Sequence, residues 1–101
     1  MYIISNRIEV PVETREAFEK AFIDSMRDTL AGVPGLRRST LMRPERDGLP
    51  YVSTMEFHSR SDFIAWIRSD SFKASHSDEQ APGMKAPNAI EQHTLIEVFE
   101  S

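Results

Sequence analysis

Apolar and polar positions change period five times along the chain, and the changes mark its elements. "YIISNRIEV" (Tyr2–Val10) alternates, with Tyr2, Ile4, Asn6, Ile8 and Val10 on one side and Ile3, Ser5, Arg7 and Glu9 on the other. Period two over this length predicts a strand that Pro11 ends, because proline cannot donate to a sheet ladder. Phe18, Phe22, Met26 and Leu30 then recur every four residues with Ala17 and Ala21 beside them. This is the apolar stripe of a helix, with Thr14 as its expected N-cap, Gly32 at its C-terminal turn and Pro34 beyond. "LRRSTLMR" (Leu36–Arg43) and "YVSTMEFH" (Tyr51–His58) read as two strands joined by the turn residues Pro44, Asp47-Gly48 and Pro50. Ser59 and Asp62 resemble a capping box, and Phe63, Trp66 and Ile67 share one face of the helix that follows. "RSDS" (Arg68–Ser71) holds two capping residue types, so this helix is expected to break at Ser69 and restart through "SFKASH". Ser77–Ala89 is polar, with two Pro and one Gly, and reads as a loop of the kind often used as a lid. Ile90–Glu100 reads as the last strand.

The order β-α-β-β-α-β predicts a ferredoxin-like α+β domain. Its four-stranded antiparallel sheet carries helices on one face. Residues 1–101 are expected to form that single domain. The last strand carries Ile96 and Val98 on one side and Leu95 and Phe99 on the other. Apolar residues on both sides predict that both sides are covered, with a second copy packed sheet to sheet as the simplest cover.

Composition narrows the function classes. The net charge is −4 and the signs are mixed along the chain, which argues against a nucleic-acid partner. Cysteine is absent, which excludes disulfides and thiolate metal sites. No leader pattern or membrane-length apolar run appears, so the expected compartment is the cytoplasm, with no membrane partner. No nucleophile motif, phosphate-binding glycine loop or zinc-ligand spacing is present, and nothing in the spacing of His58, His76 and His93 supports a three-His metal site.

Three residues stand out. Trp66 is the single tryptophan, and by itself reads as core packing. His76 by itself suits a helix C-terminus, where an imidazolium meets the dipole. Asn6 is different, because the strand pattern directs its amide into the layer of Ile4 and Ile8. A buried amide costs roughly 1–3 kcal/mol unless it is hydrogen-bonded. Either neighbouring backbone satisfies it or it is held for a ligand. The fold turns the helix side of the first strand toward the second helix, so Asn6, Trp66 and His76 are placed to line one apolar pocket beneath the Ser77–Ala89 loop. Imidazole is a natural axial ligand for haem iron, and an apolar slot suits a porphyrin.

The constellation Asn6, Trp66, His76, with W-x-x-S-x-x-F-x-x-x-H running from Trp66 through Ser69 and Phe72 to His76, resembles the Isd-type haem-degrading monooxygenases. These belong to the antibiotic biosynthesis monooxygenase superfamily of dimeric α+β barrels. The resemblance implies haem as substrate and cofactor, and a homodimer. His76 would be the proximal ligand of the iron, Asn6 a distal hydrogen-bond donor, and Trp66 a side chain pressed on the porphyrin so that it ruffles, with Phe72 in the same pocket. It also implies O2, an external electron donor not yet identified, and release of iron. The propionate partner stays open among Arg7, Arg27, Lys73 and Lys85. Three alternatives stay open beside it: a cofactor-free monooxygenase of the same superfamily acting on a quinol or polyketide-like substrate, a haem carrier, and a dimer in which all three residues only pack.

Overall fold

The computed structural model describes residues 1–70, 72 and 89–101. Its elements are β1 (Tyr2–Ile8), α1 (Arg15–Thr29), β2 (Leu36–Met42), β3 (Tyr51–Phe57), α2 (Arg60–Ile67) and β4 (Ala89–Thr94). A single 3-10 turn, Val12–Thr14, leads into α1. The strands form one sheet in the order β2-β3-β1-β4, all neighbours antiparallel. This is the ferredoxin-like arrangement that the periodicity predicts.

The caps explain where the helices start and stop. Ser59 is the N-cap of α2, its hydroxyl accepting from the Asp62 backbone N–H. The side chain thereby satisfies one of the orphan donors of the first turn. At α1, Thr14 sits at the N-cap position but makes no side-chain cap bond; its hydroxyl donates to the Pro11 carbonyl at 3.1 Å. Past α2, Ser69 accepts from the Phe72 N–H at 3.2 Å, and Asp70 and Phe72 are helical again. The expected break at Ser69 is therefore a second capping event. Gly32 has φ 77°, the left-handed turn expected after α1. Gly35, at φ 79°, is equally constrained, since a Cβ there would lie 2.3 Å from the Asp62 side chain.

Both helices lie on the face formed by Ile4 and Ile8 of β1 and Tyr51 and Phe57 of β3. The core beneath them divides in two. Ile4, Phe57, Phe63 and Trp66 form one cluster under α2, and Ile8, Phe18 and Tyr51 form another under α1. The aromatic rings meet edge-on or tilted, with Phe18 and Tyr51 4.9 Å apart and Phe57 and Trp66 5.9 Å apart. Such offset contacts add to the area that the rings bury.

The last strand is shorter than its pattern predicts. β4 ends at Thr94, and the ladder closes with Leu95 N–H donating to the Met1 carbonyl at 2.9 Å. Residues 95–101 lie outside the strand, with Leu95 half-buried and Ile96, Val98 and Phe99 exposed. The open face is also more polar than expected. An Arg7–Glu91 pair at 3.2 Å, an Arg38–Glu56 pair and a Thr40–Thr54 hydroxyl bond cross it. Ile3, Val52 and Met42 are its apolar side chains between them. Among the described residues no helix is long and apolar enough to cross a membrane.

Candidate active site

Asn6 lies in the seam between the two core clusters. Ile4, two residues before it, belongs to the α2 cluster, and Ile8, two residues after, belongs to the α1 cluster. Across the sheet Asn6 faces Ser53 of β3 and Ile90 of β4. Ser53 is the buried polar residue of the described chain, and Ile90 is exposed. The Asn6 Oδ1 is buried and has no hydrogen-bond partner among the described residues. The alternation in β1 that turns Asn6 inward is thus confirmed, and no backbone donor among the described residues meets its Oδ1. Ser53 escapes sequence reading because a serine in a strand gives no sign of its cross-strand neighbour. Only register pairs it with Asn6.

Trp66 is 5 % exposed and sits in the α2 cluster with Ile4, so it shares the helix-side face of β1 with Asn6. Phe72 packs edge-on against it, ring centres 5.0 Å apart. The structure therefore brings Asn6, Trp66 and Phe72 to one side of the sheet. Trp66 is gripped by Phe57, Phe63 and Phe72. His76 lies outside the described residues, as do Lys73, Lys85 and all but the last residue of the expected Ser77–Ala89 loop. Arg7 is on the open face, where Glu91 holds it. That position takes it out of the set of residues able to meet a ligand beside Asn6. Among the described residues no group of three or more His, Cys, Asp or Glu is placed to hold a metal ion.

A second polar cluster, not visible in the sequence, ties α1 to the hairpin. Glu19 receives both Arg43 Nε and a terminal Arg43 nitrogen at 2.7 Å, and the Tyr51 hydroxyl also donates to it. These donors hold the Glu19 carboxyl down at about 2, against 4.5 for a free one. Burial, then the nearby Glu19, pushes the Tyr51 hydroxyl up. The Arg15 guanidinium lies over the Tyr51 ring at 5.9 Å and pairs with Asp47 at 3.3 Å. A groove of about 500 Å³ opens beside this cluster, between α1 and β2, on the flank of α1 away from Asn6.

The sequence profile of the antibiotic biosynthesis monooxygenase family matches residues 1–78. No curated protein matches the chain. Among solved structures, the haem degrader MhuD from Mycobacterium tuberculosis with two haems in its active site is similar at 20% identity and TM-score 0.82, covering 99% of this chain and 100% of that one. SnoaB, a cofactor-independent oxygenase from Streptomyces nogalater, is similar at 20% identity and TM-score 0.78, covering 99% and 97%. An antibiotic biosynthesis monooxygenase-type protein from Caulobacter crescentus reaches 23% identity and TM-score 0.77, covering 95% and 90%. At these identities the likeness is one of fold.

Proposed function

The chain belongs to the antibiotic biosynthesis monooxygenase family, and we propose that within it the protein is a haem-degrading monooxygenase of the Isd-like kind, working as a homodimer with an external electron donor. The observation that carries the reading is the Asn6 Oδ1, buried on the helix side of the sheet between two apolar clusters and without a partner among the described residues. An amide left unsatisfied costs stability and gains a role when a ligand completes its bonding. Its setting suits a flat apolar ligand with a polar centre, since Ile4, Ile8 and the α2 aromatics surround it. MhuD, which has this fold, binds haem in its active site.

In this reading His76 would hold the haem iron and Asn6 would offer the bound group a hydrogen bond. Haem, as substrate, would supply the redox-active iron and the macrocycle that is opened. Turning the Asn6 carboxamide by half a turn exchanges acceptor for donor, so the residue can present N–H to the ligand. Trp66 is wedged by three phenyl rings, so it would present a ligand beside Asn6 with an apolar wall that does not yield. Phe72 extends that wall. Arg27 lines the groove on the flank of α1 away from Asn6, which leaves Lys73 and Lys85, both outside the described residues, as the open propionate partners. The exposed Ile96, Val98 and Phe99 support a second copy in the assembly.

Titration with hemin, followed by ascorbate under air, tests the reading. Wild-type protein is expected to develop a shifted Soret band that then decays with iron release, and His76→Ala to lose the shift. A spectrum unchanged by reductant overturns degradation. One observation favours a second reading, a cofactor-free oxygenase: SnoaB is as similar in sequence as MhuD. In that case hemin causes no saturable shift, and oxygen uptake follows addition of a quinol.

A further inference from the structure

Ser53 is buried on a face where β3 otherwise presents large apolar side chains. Tyr51 and Phe57, on the same side of the strand, are fully buried, and Ser53 is 6 % exposed. A hydroxyl in such company costs free energy unless it is bonded. Directly opposite it on β1 stands Asn6, whose Oδ1 is likewise buried and without a partner among the described residues. Residues directly opposite in an antiparallel pair share a face, with Cβ atoms about 4.5–5.5 Å apart. A hydroxyl and a carboxamide can close that gap by side-chain rotation alone. Two buried polar groups thus stand side by side in an otherwise apolar row, with Leu41 beyond Ser53 and Ile90 beyond Asn6.

The described polar neighbours on the diagonals of Asn6 are turned elsewhere. The Tyr51 hydroxyl donates to Glu19, and the Gln92 carbonyl accepts from the Tyr2 hydroxyl. Ser53 is the neighbour placed to complete Asn6 Oδ1. The direction of such a bond matters. A serine that donates to Oδ1 satisfies the amide oxygen and its own proton together, and it leaves both amide N–H groups for a ligand. A serine that accepts from the amide nitrogen leaves its own proton and the amide oxygen unmatched in an apolar row. The first arrangement leaves fewer buried groups without a bond. A ligand that accepts from the amide nitrogen also makes the amide oxygen a better acceptor, so ligand and serine reinforce each other.

We propose that Ser53 is a positioning residue for Asn6: when a ligand occupies the seam, the Ser53 hydroxyl donates to Asn6 Oδ1 and holds the amide N–H toward the ligand. The proposal rests on the haem reading above, in which Asn6 is a donor, and it explains what fixes that choice. An asparagine alone can turn either end to its ligand. In the structure Oδ1 has no partner, so the bond belongs to the ligand-bound protein. Ser53 itself does not touch the ligand, and it matters for turnover only through the aim of the amide.

Carbon monoxide bound to the reduced haem reads that aim directly, since an N–H beside its oxygen lowers the C–O stretching frequency. Infrared spectra of the hemin-loaded, dithionite-reduced protein under carbon monoxide are compared for wild type, Ser53→Ala, Ser53→Thr, Ser53→Val and Asn6→Leu, with circular dichroism as the check on folding. Wild type is expected to show a band at lower frequency than Asn6→Leu. Ser53→Ala is expected to add a second band near the Asn6→Leu frequency, because the amide then populates both orientations. Haem turnover in that variant is expected to fall roughly tenfold with the hemin dissociation constant unchanged, because the donor is kept and only its aim is lost. Threonine and valine match in shape and differ in the hydroxyl, so Ser53→Thr is expected to keep the wild-type band and Ser53→Val to follow alanine. A wild-type band in folded Ser53→Ala or Ser53→Val overturns the role of Ser53 and leaves the haem reading standing, and so does loss of hemin binding in either variant. A wild type with no saturable Soret shift overturns both.

Discussion

At the scale of single residues, Asn6 carries the most information. Its neighbours on the same side of β1, Ile4 and Ile8, are buried in separate clusters, and its own Oδ1 has no partner among the described residues. Replacement by an apolar side chain of similar size removes the cost of burying the amide. Asn6→Leu is therefore expected to raise the unfolding free energy by about 1 kcal/mol while abolishing haem turnover. Urea denaturation and the hemin assay measure the two effects. A loss of stability would mean that the amide is satisfied in the folded protein. The inward position of Asn6 was legible in the alternation of β1. The orphaned oxygen was not, because it depends on Ser53 and Ile90, 47 and 84 residues along the chain, failing to supply a donor.

At the scale of elements, local rules set most boundaries and failed where pairing decided. Ser59 and Ser69 both cap, because a hydroxyl three residues before an orphan N–H needs nothing from the rest of the protein. Ser59→Ala is expected to cost about 1 kcal/mol, read from the denaturation midpoint, since it exposes the Asp62 N–H at the start of an eight-residue helix. A cost near zero would show that the cap bond is not maintained in solution. The contrast is β4. Residues 95–100 have strand composition, yet the strand stops at Thr94, which pairs with Tyr2, the first residue of β1. β propensity describes fit to a partner, and the pattern of one segment does not supply the partner.

At the scale of the whole molecule, the link between α1 and the hairpin is electrostatic as well as apolar. Glu19 joins Arg43 and Tyr51, which stand 24 and 32 residues away in the sequence. Its carboxyl is held at about 2 in the fold against 4.5 when free. A depressed carboxyl binds its proton more tightly in the unfolded chain than in the folded one. Its contribution is therefore complete above about 4.5 and vanishes as the pH falls through about 2. Thermal midpoints of wild type and Glu19→Gln are expected to differ above that window and to converge below it. Parallel curves across the range would remove Glu19 from the acid response.

The chain on its own determined the element order, the helix breaks and the facing of Asn6 and Trp66, because each follows from spacing of a few residues. Spacing also carried the family, through the run from Trp66 to His76. What only the tertiary structure decided are the relations between distant segments: the orphaned amide in the seam, Arg7 bound on the far face, the Glu19 cluster with its groove, and a tail left without a strand. The physical reason is that periodicity records which way a side chain points, whereas hydrogen bonds and charge pairs depend on what the fold brings opposite it.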